Sequence, residues 1–268
     1  MRTDHRTGHR PIPRPTSLRP TTRKPPRGGL PTPYALARDC FLPSAAPPAG
    51  RGARELRVPA GRVGLTARLT LPAAAPALVI LVRGDGSSRH SPHDRYVAAV
   101  LERAGLGTAL LDLLDEEEAC DRHLCLDVPL LARRLRAAAD WLGARTGLPV
   151  GCFGTGTGAS AALEAAAEGG IRAVVSHAGR PDLTSPAALA RLRVPALFVT
   201  GTRDTGLLGR TRLAADWMCC THRVAVVPGR TDRFTEPDLP ATVAGLARAW
   251  FTDRLTAART EPLPPGAG

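Results

Sequence analysis

From Glu55 onward, short apolar runs alternate with longer segments of helical periodicity. ELRVPA (55–60) and VGLTARLTL (63–71) alternate apolar and polar positions and predict a pair of strands. Six later runs are apolar almost throughout, as in strands buried on both faces of a sheet: 77–82, 107–113, 149–154, 171–177, 195–201 and 222–229. The segments between them predict helices at 94–104, 127–146, 158–168, 186–192, 206–218 and 238–251. Strands alternating with helices indicate right-handed βαβ units, and therefore a doubly wound, mostly parallel α/β sheet with helices on both faces.

The same pattern divides the chain into three parts. Residues 1–54 are rich in Arg and Pro, with too few apolar positions to offset the entropy of ordering, and predict a disordered tail. Residues 55–256 hold all the predicted elements and form one α/β domain. Residues 257–268 predict a frayed C-terminal end.

Charge first suggests a protein that binds polyanions. The 268 residues carry a formal net charge of +12, and the isoelectric point is about 10.9. Residues 1–58, however, hold 12 basic and 3 acidic residues, which leaves the rest of the chain close to neutral. We therefore do not expect nucleic-acid binding except through the basic tail, and we favour the interpretation that this tail is an extension from an upstream start codon.

Other composition signals favour a cytoplasmic protein that makes no contact with membranes. No apolar run reaches the ~18 residues of a membrane helix, and the N-terminus lacks the apolar core of a secretory signal. The six cysteines have no framework spacing and are expected to be free thiols.

Candidate chemistry lies in the loops that follow the predicted strands, because ligands bind at the carboxyl ends of parallel strands. Four such loops carry glycine and polar side chains: Arg83–Pro92, Gly154–Ser160, Gly201–Asp204 and Pro228–Phe234.

With these loops in this order, the chain resembles the α/β-hydrolase superfamily, and within it the dienelactone hydrolase-like proteins. The resemblance covers about residues 55–256 and includes the Ser-Ser-Arg-His-Ser-Pro stretch (87–92) and Leu-Asp-Leu-Leu (111–114). Such proteins carry a His-Gly-x-Gly oxyanion loop, a Gly-x-Ser-x-Gly nucleophile turn, and later an Asp and a His that complete the triad.

Carried over residue by residue, the resemblance implies a degenerate triad. The nucleophile position falls on Gly156, the acid on Asp204, and the base on Asp232. The oxyanion loop falls on Arg83 and Asp85, with the backbone N–H of Thr157 as the further donor. Only the Asp is retained, so ordinary serine hydrolysis is not expected.

Substitute groups leave alternatives open. The substitute nucleophiles nearest in sequence are the side chains of Thr155, Thr157, Ser160 and Cys152. The substitute acids or bases are the imidazoles of His90, His177 and His222, and of these His90 lies in the first loop. We expect no metal and no cofactor. Asp85, Asp204 and Asp232 would more readily pair with Arg83 than hold a cation, and Gly154-x-Gly156 lacks the acidic residue of a dinucleotide site. Cys120-x-x-His123-x-Cys125 looks like half a zinc site, but its spacing is irregular and no second pair lies nearby in the sequence, so we interpret it as part of a solvated acidic loop.

These observations favour a non-hydrolytic pseudoenzyme that binds a small molecule or a protein partner. The alternatives are an enzyme of another type (a lyase, isomerase or cyclase using acid–base residues of the cleft) and a residual ester or lactone hydrolase.

Overall fold

The computed structural model describes residues 52–85, 87–229 and 238–256. Eight strands, eight α-helices and one 3₁₀ turn lie in these ranges: β1 Arg54–Ala60, β2 Val63–Thr70, β3 Leu78–Arg83, α1 Pro92–Arg103, β4 Gly107–Asp112, α2 Glu116–Ala119, α3 Arg122–Leu126, α4 Val128–Thr146, β5 Val150–Thr155, α5 Thr157–Ala167, β6 Ala173–His177, the 3₁₀ turn Pro181–Leu183, α6 Pro186–Arg191, β7 Ala196–Gly201, α7 Thr205–Asp216, β8 His222–Val227 and α8 Leu239–Thr256.

One sheet contains all eight strands, in the order β1-β2-β4-β3-β5-β6-β7-β8. β1 and β2 form an antiparallel hairpin in which Ala60 pairs with Val63, and Gly61 takes a φ of 68° in the turn. β2 pairs antiparallel with β4, and every other neighbouring pair is parallel. The doubly wound α/β fold predicted from the sequence is confirmed.

Burial explains why the central runs are apolar throughout. β4, β5, β6 and β7 are buried at every position, because helices cover both faces of the sheet. On one face, Val79, Phe153 and Val175 pack against α1 and α8. On the other, Ile80 and Cys152 pack against α4 and α5.

The carboxyl ends of the parallel strands β3 to β8 meet at one edge of the sheet, which we call the carboxyl edge. The loops predicted to carry the chemistry begin here, after β3, β5 and β7. The parallel registers Arg83↔Thr155 and Thr155↔His177 place these three strand ends side by side.

The acidic segment after β4 differs from the prediction. We expected a solvated loop, but residues 116–126 form two short helices, α2 and α3. Asp115 and Glu118 form a reciprocal capping box that starts α2, and the Asp121 side chain accepts the backbone N–H of His123 to start α3. Helices of four and five residues give too little periodicity to be recognised in a sequence, so only their caps could have signalled them.

Two of the predicted parts fall largely outside the described residues. These are the tail, of which only residues 52–54 are described, and the C-terminal end, 257–268. Among the described helices, none combines the length and apolarity of a membrane span.

Candidate functional site

The turn between β5 and α5 is the sharpest feature of the carboxyl edge. Gly156 stands between strand and helix with φ 61° and ψ −129°, a conformation that strongly favours glycine. A Cβ built on it would meet no atom within 4 Å. A side chain at this position would therefore project into open space from a strained backbone, which is the arrangement of a nucleophile turn.

The two neighbouring glycines are required for a different reason. A Cβ at Gly154 would lie 2.5 Å from Cα of Ala159, and one at Gly158 would lie 2.9 Å from Cα of Arg83. α5 therefore packs directly on the backbones of β5 and β3. Glycine is therefore required at 154 and 158 because a side chain would collide with the neighbouring backbone. At 156 it is favoured because of the positive φ.

The loop after β3 abuts the same turn. A Cβ at Gly84 would overlap Oγ1 of Thr157, so the structure brings Arg83, Gly84 and Asp85 against the start of α5. This is the juxtaposition expected for the loop and helix terminus that together would bind an oxyanion.

The charges in that loop are engaged with each other. Arg83 Nε lies 3.4 Å from Oδ1 of Asp85, and its Nη1 lies 3.8 Å from Oδ2 of Asp94 in α1. Asp85 Oδ1 also accepts from the backbone N–H and the hydroxyl of Ser87, at 3.2 and 2.7 Å. Both groups therefore have internal partners, and Asp85 serves to shape its own loop.

A buried aromatic and polar cluster lies beneath the strand ends. His177, the last residue of β6, has no exposed surface and stacks on His93 with ring centroids 4.9 Å apart. His93 Nδ1 lies 3.2 Å from Oδ1 of the buried Asp94. Burial, together with the charges of His93 and Arg83, holds the pKa of His177 well below its usual value. A neutral, enclosed imidazole of this kind is unsuited to direct contact with a substrate.

The hydroxyls and thiol considered as substitutes for a nucleophile are occupied or inaccessible. Thr157 Oγ1 donates to the carbonyl of Cys125 at 2.9 Å, and Ser160 Oγ donates to the carbonyl of Arg180. Cys152 is fully buried in β5, and burial raises its pKa. Thr155 is buried on the α1 side of the sheet, next to His177 in register.

Of the remaining predicted residues Asp204, Asp232 and His222, only Asp204 is placed by the structure at the carboxyl edge. Asp204 lies at the start of α7, and its backbone N–H donates to the carbonyl of Gly201 at 3.1 Å. β6 lies between β5 and β7 in the sheet, so Asp204, which follows β7, lies two strands away from Gly156, which follows β5. Asp232 lies outside the described residues. His222 begins β8, so it lies at the opposite edge of the sheet.

His90 faces a separate cavity of about 730 Å³. This cavity lies between the β1–β2 hairpin, the loop after β3 and helix α2, and Asp85 also lines it. His90 itself is exposed, and its backbone N–H donates to the carbonyl of Ser87 at 3.1 Å.

Asp112, at the end of β4, is the most buried carboxylate of that cavity, with 5% of its surface exposed. Burial raises its pKa, although the hydrogen bond and charge of Arg89, with Nε 2.5 Å from Oδ2, act in the opposite direction. Arg89 Nη1 also contacts Oε1 of Glu55 at 3.0 Å, which links the end of β4 to β1.

Sequence reasoning missed Asp112, Asp94 and Cys125 as neighbours of the site. Asp112 lies in the Leu-Asp-Leu-Leu segment, and its position at the end of a buried strand was a usable signal. Asp94 and Cys125 lie on helices, and only the packing of those helices brings them to the edge. Burial and the nearby charge of Asp85 raise the pKa of Cys125, so its thiolate is disfavoured.

Within the ranges that the structure describes, no three His, Cys, Asp or Glu side chains come together in an arrangement that could hold a metal ion.

No family model matches the chain. Among curated proteins, it is 43% identical over 206 residues to a putative phosphoribosyl transferase of Mycobacterium tuberculosis, and the match includes 75% of this chain and 46% of that protein. The chain therefore spans about half the length of the curated relatives it matches.

Among solved structures, a dienelactone hydrolase from Anabaena variabilis is 41% identical with a TM-score of 0.71, and the match covers 76% of this chain and 99% of that one. A dienelactone hydrolase-like promiscuous phosphotriesterase from metagenomic libraries has the same fold at 17% identity, with a TM-score of 0.60, and the match covers 75% of this chain and 98% of that one. With 41% identity over almost the whole of the first of these structures, and with the strand–turn–helix geometry at Gly156, the chain belongs to the dienelactone hydrolase-like family of α/β-hydrolase fold proteins.

Proposed function

We propose that this protein is a non-hydrolytic member of its family, a pseudoenzyme that binds a small molecule or a protein partner at the carboxyl edge. The observation that carries the proposal is Gly156. We assign it to the nucleophile position because it occupies the strained turn between β5 and α5, where a side chain would have room. Glycine relieves the strain of that backbone and supplies no nucleophile.

The size of the expected loss supports this proposal. Removing the nucleophile or the base of a serine hydrolase triad costs on the order of 10⁶ in rate in the reference case. The sequence has Gly156 and Asp232 at the two positions, so both groups would be missing. A carboxylate at 232 would remain ionised at neutral pH unless its pKa rose by several units, and it would have no hydroxyl at 156 to activate.

The neighbouring side chains give no ready replacement. The hydroxyls of Thr157 and Ser160 donate to backbone carbonyls, and the thiols of Cys125 and Cys152 have raised pKa values. Asp204 and the N-terminus of α5 remain at the carboxyl edge. These groups could contact a ligand, so a binding role does not require the missing nucleophile or base.

Hydrolysis of p-nitrophenyl acetate and p-nitrophenyl butyrate by the full chain tests the proposal. We expect the wild-type rate to equal that of the heat-inactivated protein. The double variant Gly156→Ser/Asp232→His should gain measurable hydrolysis, because it restores both groups on the same frame. Wild-type hydrolysis that one substitution in the carboxyl edge abolishes would overturn the proposal.

If the ligand is a protein, the longer relatives indicate what to test. About half of each mycobacterial relative lies outside the match, so in those proteins the matching domain is joined to a further segment. We propose a polypeptide similar to that remaining segment as the partner. Co-elution of the two proteins in size-exclusion chromatography checks this, and independent elution at concentrations of about 100 μM would contradict it.

The second candidate is an enzyme of another reaction type, which uses acid–base groups. The observation in its favour is Asp112, a buried carboxylate of raised pKa that lines the cavity together with His90. Against it, Asp112 is bound by Arg89, which favours the ionised form. A lyase, isomerase or cyclase activity that Asp112→Asn abolishes would establish this second function.

A further inference from the structure

Two cysteines flank the start of helix α3, and neither belongs to the triad positions. Cys120 is exposed and Cys125 is half-buried, and both are free thiols. With His123 they resemble half a zinc site, but no group of three metal-ligating side chains forms within residues 52–85, 87–229 and 238–256. The chemistry left to two neighbouring thiols is reaction with each other.

The local fold places the two thiols on the same side of the first turn of α3. Asp121 is the N-cap of this helix, and the backbone N–H of Cys125 donates to the Asp121 carbonyl at 3.1 Å. Cys120 is therefore the residue before the cap, and Cys125 is the fourth residue of the helix. These two positions are the ones whose side chains pack together in a hydrophobic staple, because the chain doubles back over the first turn.

The contacts of the two sulfur atoms agree with this placement. Cys120 Sγ donates to the carbonyl of Glu116 at 3.3 Å, and Cys125 Sγ donates to the carbonyl of Ala119 at 3.4 Å. Both thiols therefore lie against α2. The Ala119 carbonyl belongs to the peptide bond that leads into Cys120, so the sulfur of Cys125 lies beside the backbone of the other cysteine. Thiols are weak donors, so these hydrogen bonds are readily exchanged for a bond between the sulfurs.

The surroundings permit the adjustment that closing a disulfide requires, which is a Cα separation of about 4.4–6.8 Å. Neither α2 nor α3 contains a buried residue, so a shift of this segment leaves the core in place. Glu118 anchors α2 to Arg134 at two points, which leaves α3 as the part that moves. The carbonyl of Cys125 accepts from Oγ1 of Thr157 at 2.9 Å, so a shift of α3 reaches the residue that follows Gly156.

We propose that Cys120 and Cys125 form a reversible disulfide, with a low-molecular-weight disulfide such as oxidised glutathione as the oxidant. The thiolate of Cys120, the exposed partner, attacks one sulfur of the oxidant and releases a glutathione thiolate, which takes up the proton that Cys120 lost. The thiolate of Cys125 then attacks the Cys120 sulfur and releases the second glutathione in the same way. The two cysteines are oxidised, and the oxidant is reduced to two thiols.

The second of these steps should be the slower one at neutral pH. Burial and the nearby charge of Asp85 raise the pKa of Cys125, so little of it is thiolate there. A mixed disulfide on Cys120 should therefore accumulate before the protein disulfide. Its conversion should be about tenfold faster at pH 8 than at pH 7, because the thiolate fraction of Cys125 rises by that factor. A conversion rate independent of pH would contradict the assignment of Cys125 to the second step.

Peptide mapping of the full chain after treatment with oxidised glutathione tests the proposal. Free thiols are blocked with N-ethylmaleimide, and the monomer band of a non-reducing gel is digested with trypsin. Arg122 lies between the two cysteines, so trypsin separates them into peptides 104–122 and 123–133. We expect mass spectrometry to find these two peptides linked as the main oxidised product, and dithiothreitol to release them.

Two variants complete the experiment. Cys125→Ser should stop at the glutathione adduct of Cys120 and give no linked peptides. Cys219→Ser/Cys220→Ser replaces another pair of cysteines, of which Cys219 is also exposed, and should leave the yield of linked peptides unchanged. Equal melting temperatures of the reduced wild type and Cys125→Ser exclude a folding defect as the cause.

A stable glutathione adduct on Cys120 of the wild type would overturn the proposal. So would the absence of any oxidation of Cys120, or linkage of peptide 104–122 to a peptide that carries a cysteine other than Cys125. The outcome of the ester assay has no bearing on this result, because neither thiol takes part in the proposed function.

Discussion

Nη1 of Arg83 lies 3.8 Å from Oδ2 of Asp94, a carboxylate with no exposed surface. Arg83 ends β3 at the loop predicted to bind an oxyanion, whereas Asp94 lies in the first turn of α1. Asp94 therefore draws the guanidinium towards the α1 side of the sheet. An arginine in the loop is thus part of a buried polar cluster and is not a freely available anion-binding group.

Asp94→Asn should lower the free energy of unfolding by about 1–3 kcal/mol, because it leaves Arg83 and His93 with a weaker partner in a buried place. Urea denaturation measures the change. Asp253→Asn, at a carboxylate with two-thirds of its side chain exposed, is the matched control and should stay within about 0.5 kcal/mol of the wild type. Equal stability of Asp94→Asn and the wild type would show that the buried charge contributes nothing.

The glycines of the turn should differ in their tolerance of alanine. In Gly156→Ala the new Cβ has room, but alanine must adopt the positive φ of this position. The substitution should lower the free energy of unfolding by about 1–3 kcal/mol. Gly154→Ala should cost more, because its Cβ would meet the backbone of α5 at 2.5 Å and the helix would have to move.

Gly209→Ala is the control for both changes. Gly209 lies within α7, and its Cβ would meet nothing within 4 Å, so alanine there should stabilise the fold by about 0.5–1 kcal/mol. Thermal melting of the three variants gives the order. A Gly154→Ala protein as stable as Gly156→Ala would contradict the packing described for β5 and α5.

The buried His177 predicts a loss of stability in mild acid. Its pKa is depressed in the folded state, so below about pH 6.5 the unfolded chain binds a proton at this position that the folded chain does not. As the pH is lowered below this value, the free energy of unfolding should therefore decrease by up to about 1.4 kcal/mol per pH unit. The decrease should stop once the pH reaches the pKa of His177 in the folded state.

His177→Phe should remove this part of the pH dependence while keeping an aromatic ring against His93 and Phe153. Urea denaturation at pH 7.5, 6.5 and 5.5 compares the two proteins. Parallel stability profiles over that interval would mean that His177 is not the group responsible.

Arg134 should prove more important than a surface arginine. It is buried in α4, binds Glu118 at two points and donates to the carbonyl of Leu113 at 2.9 Å. Arg134→Ala should cost about 1–3 kcal/mol, since it removes the guanidinium that donates to that carbonyl and to both oxygens of the carboxylate. Arg191→Ala, at an exposed arginine that also pairs with a glutamate, is the control for urea denaturation and should cost less than about 1 kcal/mol.

Much of the fold could be predicted because strand burial leaves a direct trace in the sequence. The run Leu78–Val82 is apolar at every position, and it forms a strand with helices on both faces. The glycine triplet 154–158 likewise predicted a strand–turn–helix, since few other residues tolerate both the close approach and the positive φ. The strand order could come only from the resemblance, because no local pattern indicates that β4 lies between β2 and β3.

The site was less predictable, because the decisive property of several residues is their burial. His90 lies in the loop after one predicted strand and His177 ends another, and the sequence favoured His90 as an acid or base. In the structure His90 is exposed and faces the cavity, whereas His177 is enclosed by α1 and the central strands. The packing of α1 decides this difference, and no residue next to either histidine encodes it.

The open space around Gly156 also makes the turn a convenient place for a reporter. The Cβ of a cysteine introduced there would meet no atom within 4 Å, and the wild-type thiols Cys125 and Cys152 are disfavoured as thiolates. The exposed thiols of Cys120 and Cys219 would compete for the label, so both would first be replaced by serine. An environment-sensitive fluorophore attached at this point would register occupancy of the carboxyl edge by a change in emission. Such a signal needs no product formation, so it measures binding independently of any turnover.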